Sequence, residues 1–247
     1  MASPRGRMSQ NFLCKNHTMN GSVLKLIACL AMLLDHIAAF MPGDFMNMKE
    51  ILFTIGDKAI TLRMLLHYIG RVAFPLFAFL ITEGFVHTRD KKRYGINLMI
   101  FALISEIPWN LVHNGELLYY RQNVFFTLLL GYLGLCVIER FKDDKKRSGI
   151  LLICLLVISI LLRADYGCFG YGFILMLYLL RSRKLLMSIV GACVLPSRWI
   201  GGMAFIPVML YNGERGFAKK KWIKYSFYAF YPLHLIIIYA FRMSLTA

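Results

Sequence analysis

LKLIACLAMLLDHIAAF, residues 24–40, decides the fold class. It lies within an apolar run from Val23 to Met41, and roughly 20 helical residues are enough to cross a hydrocarbon core about 30 Å thick. The run carries Asp35-His36 well inside it. The apolar region of a secretory signal is shorter and uncharged, so this helix is expected to remain in the mature protein.

The same ruler, moved outward along the chain, finds nine candidate spans: 23–42, 64–86, 95–112, 123–139, 149–162, 167–180, 185–196, 199–211 and 226–241. The pair near 185–211 is short enough to be a re-entrant hairpin. Of the 247 residues, 58% are hydrophobic and 17% charged, too little charge to coat a soluble domain of this size. The expectation is an all-α, polytopic helical bundle with about nine spans, forming one domain over 23–245 after a polar segment, 1–22. No internal repeat, low-complexity stretch or linker divides it. Segment 43–63 mixes Asp44, Lys49, Glu50 and Asp57 with apolar residues and reads as an interfacial helix.

A net charge of +16 raises nucleic-acid binding, but the basic residues fall in short clusters between the apolar runs rather than on one continuous face. Twenty-one of the 29 Lys and Arg fall on one side of the map, in the segments around 5–25, 89–93, 140–147, 181–184 and 215–224. Cytosolic loops are enriched in this way, so the N-terminus is expected in the cytosol and the C-terminus outside, in a bacterial inner membrane, with lipid and not nucleic acid as partner. The six cysteines show no C-x-x-C spacing and read as small buried hydrophobes.

Ionisable side chains at bilayer depth are costly and face a partner, a cavity or a substrate path. Counted at 1.5 Å per helical residue, Asp35 and His36 on the first span, Arg71 on the second, Glu106 on the third and His234 on the last fall near one layer around the midplane. Adjacent helical positions differ by about 100°, so one carboxylate is expected to pair with Arg71 while His36 faces a cavity. Glu83, His87 and Arg89 lie near the cytosolic end of the second span, within reach of a soluble anion. The bland alternative is a buried ion-pair network that only fixes packing. No H-E-x-x-H, G-x-S-x-G or Walker-type spacing is present, and no metal is expected.

Four segments, LKLIACLAMLLDHIAAF (24–40), GRVAFPLFAFLITEGFVHTRDKKRY (70–94), FALISEIPWNL (101–111) and NVFFTLLLG (123–131), closely resemble the TraX family. That family is named for the conjugation protein that acetylates the N-terminus of F-type pilin, and it is similar to the acyltransferase-3 superfamily. The resemblance runs from residue 24 to about 245. It implies that Lys25 and His36 correspond to the superfamily's basic residue and catalytic histidine on the first helix. FPLFAFLITEGFV looks like an aromatic "FF-x-x-SGF" helix with Glu83 where serine is common, and YPLHLIIIY (231–239) like a late "Y-x-x-H" helix bearing His234. It further implies acetyl-CoA as acyl donor, with Arg71 and Arg89 the best candidates for its phosphates beside Glu83, His87 and His234.

The function so implied is acetyl transfer to an amine or hydroxyl acceptor, which a peptide, a glycan or a small molecule could supply. His36 would be the general base, Glu106 or Asp35 would orient it, and Arg71 would stabilise the thioester oxygen or a carboxylate. Midplane carboxylates and histidines also suit a proton-coupled transporter, and buried charges that serve packing alone suit a non-catalytic assembly subunit.

Overall fold

The computed structural model describes residues 18–218 and 220–246; most of the polar segment expected over 1–22 lies outside that range. The helices are α1 (Gly21–Phe40), α2 (Leu62–Gly70), α3 (Ala73–His87), α4 (Lys91–Asn114), α5 (Val124–Arg140), α6 (Lys145–Leu161), α7 (Gly167–Leu180), α8 (Lys184–Val194), α9 (Arg198–Gly202), α10 (Phe205–Met209) and α11 (Lys221–Thr246). Several starts are written locally. Asn20, Thr61, Asp90, Asn123 and Asp144 each cap the following helix through a side-chain oxygen, a contact worth about 1 kcal/mol.

Among the described residues, four helical stretches are long and apolar enough to cross a membrane: Gly21–Phe40, Leu62–His87, Lys91–Asn114 and Trp222–Leu245. They coincide with the expected spans 23–42, 64–86, 95–112 and 226–241. The other expected spans fall on shorter helices: α5 and α6 of 17 residues each, α7 of 14 and α8 of 11. The run 199–211, expected as one helix, breaks at Met203-Ala204 into α9 and α10. The second span also breaks, at Arg71-Val72, separating α2 from α3.

Segment 43–63 is not an interfacial helix. After a 3₁₀ turn at Phe45–Asn47 it forms an antiparallel hairpin, β1 (Ile51–Ile55) with β2 (Lys58–Thr61). Ile51, Phe53 and Ile55 alternate, and Gly56-Asp57 forms a two-residue loop with Gly56 at φ 57°. Glycine at the first position of such a loop is a strong hairpin signal and outweighs the segment's amphipathic look.

The packing is that of a lipid-facing bundle. Leu26, Leu30, Ile96, Ile100, Leu103 and Ile107 are exposed on the long helices, while Leu24, Ala28, Leu76, Leu98, Ala102 and Leu235 are sealed inside. α1 packs on α2, α3 and α11, and α4 on α5 and α11. At one end of the bundle α1, α4, α6, α8 and α11 begin and α3 and α5 finish; Lys91, Lys145, Lys184 and Lys224 cluster there, making it the basic end.

Candidate active site

Of the expected midplane residues, α1 and α11 bring His36 and His234 together, and the remaining pairings differ from those expected. Asp35 does not pair with Arg71; its Oδ1 accepts from His67 Nδ1 at 2.9 Å. The contact depends on Gly70, one turn along α2 from His67. A Cβ there would stand 2.3 Å from the Asp35 Cβ, so only glycine lets α2 approach α1 this closely. Arg71 falls at the α2/α3 break and is exposed.

Glu106 does not orient His36. Its Oε2 accepts from Asn123 Nδ2 at 2.6 Å, and the same amide donates to Ala102 O at 2.8 Å. Asn123 Oδ1 meanwhile accepts from Phe125 N, capping α5. Both amide hydrogens of this fully buried side chain and its oxygen are therefore engaged, which fixes the start of α5 against α4. Glu106 Oε1 is buried and, among the described residues, has no hydrogen-bond partner.

His36 meets His234 instead. His36 Nδ1 lies 2.6 Å from His234 Nε2, and the two rings are nearly parallel at 8°. His234 Nδ1 lies 2.7 Å from Phe230 O. A carbonyl only accepts, so His234 carries its proton on Nδ1, and its neutral Nε2 can only accept. His36 must then donate from Nδ1, which leaves a free lone pair on His36 Nε2. Phe40 and Tyr231 flank the His36 ring at 5.6 and 5.9 Å, and Phe40 continues to His113, whose Nδ1 donates to Trp109 O.

From the basic end a cavity of about 240 Å³ runs between α1, α3, α4 and α11. Its mouth is polar, lined by Lys25, Arg215 and Lys224 together with Glu83 and His87, which form an i,i+4 pair at 3.3 Å. Arg215 and Lys224 both act electrostatically on Lys25, a crowding of cations that a bound anion relieves. The shaft is apolar, with Met32, Leu80, Leu98, Phe125 and Leu128. It ends at Tyr231, whose ring lies 5.6 Å from His234.

Arg215 is held there by its neighbours. Gly21 N donates to Glu214 O, Ser22 Oγ to Arg215 O and Ala218 N to Ser22 Oγ, so the loop before α11 is stapled to the start of α1. Glu83 and His87 line the cavity, whereas Arg89 is exposed outside it and Arg71 lies at the other end of α3. By sequence Arg215 and Lys224 belong only to a basic loop; their distance from α1 in the chain hides their place at the cavity mouth. In the turn after α6, burial pushes the Asp165 carboxyl up to about 6, with Arg121 opposing, Asp35 reinforcing and Arg71 opposing. Burial likewise raises the Tyr211 phenol beside Glu83.

The family model described as TraX protein matches residues 20–242, which takes in every element from α1 to most of α11. The chain belongs to the TraX family. This TraX chain is also similar to the probable fimbrial assembly protein FimC, serogroup H1, of Dichelobacter nodosus, at 26% identity over 265 residues, covering 94% of this chain and 100% of that protein. No solved structure matches it.

Proposed function

We propose that this TraX member is an integral membrane acetyltransferase that moves an acetyl group from acetyl-CoA to an amine, such as the N-terminus of a pilin or another peptide, or to a hydroxyl. One observation carries this reading: the Phe230–His234–His36 chain of hydrogen bonds leaves a basic nitrogen free on His36, beyond a cavity whose mouth is cationic and whose shaft is apolar. The residues present fit the donor. Lys25, Arg215 and Lys224 would take its phosphates, as ammonium and guanidinium groups do. The apolar shaft would take its thiol arm, and Lys25 and His36 are about 16 Å apart along α1 by helical rise. The bound donor supplies an activated acetyl thioester.

The chain's own residues supply the rest. His36 Nε2 takes the acceptor's proton, and His234 fixes the tautomer that makes this possible. His67 and Asn123 hold Asp35 and Glu106, so that carboxylates near the base stay partnered. The basic end faces the cytosol of a bacterial inner membrane, by the positive-inside rule, which places the mouth where the donor is made and the C-terminus outside. The name of the family and the fimbrial assembly role in the relative's name both favour a pilin-like acceptor. Mass-spectrometric comparison of acetylated peptides and glycans in cells with and without the protein tests this: loss of one acetylated species is expected, and identical profiles contradict it.

The paired imidazoles His36–His234, with His67 and His113 nearby, also favour a second reading, a proton-coupled transporter. Substrate flux into sealed vesicles without acyl transfer would select it.

A further inference from the structure

Tyr231 carries a buried group that packing does not explain. The residue is 2% exposed and its ring is wedged edge-on against Phe125 at 5.3 Å, His36 at 5.9 Å and His234 at 5.6 Å. Phenylalanine would fill that space equally well. The hydroxyl nonetheless stays, buried and, among the described residues, without a hydrogen-bond partner, at a cost of roughly 1–3 kcal/mol. The backbone N–H of Val124 at the start of α5 acts on it without reaching bonding geometry, and Glu106 and Asp165 act only through their charge. Tyr231 and Val124 both line the inner end of the cavity. A hydrogen-bond donor and the positive end of a 17-residue helix therefore converge where the shaft meets the histidine pair, an arrangement that suits a developing negative charge.

Resting on the acetyltransferase reading, we propose that the Tyr231 hydroxyl binds the carbonyl oxygen of the acetyl thioester and holds the charge that develops there, making Tyr231 a catalytic residue. The acceptor nitrogen forms a bond to the carbonyl carbon while His36 Nε2 takes a proton from that nitrogen. Tyr231 donates its hydrogen bond to the carbonyl oxygen as the π pair moves onto it. That pair returns as the carbon–sulfur bond breaks, and His36 passes its proton to the departing sulfur. The products are an acetamide and free thiol, and both side chains end as they began.

The test uses two unreactive donors with full-length protein in detergent: a ketone analogue of acetyl-CoA, with methylene in place of the thioester sulfur, and S-ethyl-CoA, which lacks the carbonyl oxygen. The wild type is expected to bind the ketone about five- to tenfold more tightly, as one net hydrogen bond allows. Tyr231→Phe is expected to bind both analogues equally, at the wild-type affinity for S-ethyl-CoA, and to lose about 100-fold in kcat. Its unfolding midpoint is expected to hold or rise, because the hydroxyl removed has no partner to lose. Retained discrimination in Tyr231→Phe overturns the role of Tyr231, and so does a fall in the midpoint. Failure of the wild type to bind either analogue overturns the acetyl-CoA reading and the inference with it.

Discussion

His36 Nδ1 and His234 Nε2 lie 2.6 Å apart across 198 positions of sequence, joining the first long helix to the last. The Phe230 carbonyl fixes the direction of that bond. It follows that the two histidines are unequal: in the proposed mechanism one is the base and the other sets its tautomer. His36→Ala should lower kcat by about 10²–10⁴-fold, the range for a lost general base. His234→Phe should cost less, about 10–100-fold, since it releases the tautomer but keeps the base. Transfer rates for both variants, with CoA binding as control, check this order; equal loss from His234→Phe alone, with His36→Ala active, would reverse the assignment.

The cavity mouth makes a different prediction. In the proposed mechanism Lys25, Arg215 and Lys224 would touch a part of the donor far from the reacting carbon and so would bind ground and transition states alike. Arg215→Ala and Lys224→Ala are each expected to raise KM for acetyl-CoA about tenfold, the worth of one charge-assisted hydrogen bond, with kcat little changed. Steady-state kinetics at low and high salt separate this from a folding defect, because added salt should weaken the wild type more than either variant.

Asp165 sets a pH dependence of stability. Its carboxyl is raised from 3.8 to about 6 in the folded chain, so between those values the folded state binds more protons than the unfolded state. Unfolding free energy then falls as pH rises through that window. Asp165→Asn removes the carboxyl and is expected to flatten the unfolding midpoint between about pH 4 and 6 and to raise it at pH 7. An unchanged slope in the variant would show that Asp165 is not the group responsible.

Gly70 gives a packing test. A methyl group at that position must displace Asp35, whose Cβ would be 2.3 Å away, so either α2 retreats or the His67–Asp35 bond opens. Gly70→Ala is expected to destabilise by about 1–3 kcal/mol, as overpacking does, and to lower activity together with the midpoint. The alanine variant of Gly149, which has open space around its Cβ, should change neither.

The long helices were legible because an apolar run of twenty residues has few alternatives, and α7 was bounded to the residue at 167–180. The hairpin at 51–61 was misread because charge and apolar residues mixed over twenty positions mimic an interfacial helix, while the decisive signal was two residues, Gly56-Asp57. Helical rise gives an expected level for Asp35, His36, Glu106 and His234, but it does not give their pairings. Which of two adjacent residues faces which neighbour depends on helix rotation, and rotation here is set by contacts such as Gly70 on Asp35 and Asn123 on Ala102. Arg215 reached the cavity through a backbone staple to Ser22, a contact between chain segments that no local pattern announces.

The most direct test of acetyl transfer at His36 is incorporation of radiolabelled acetyl from acetyl-CoA into an amine-bearing peptide by purified protein in liposomes, wild type against His36→Ala. The account predicts steady incorporation by the wild type and none above background by His36→Ala with its fold intact. Equal labelling by both, or none by either while acetyl-CoA binds, would contradict it.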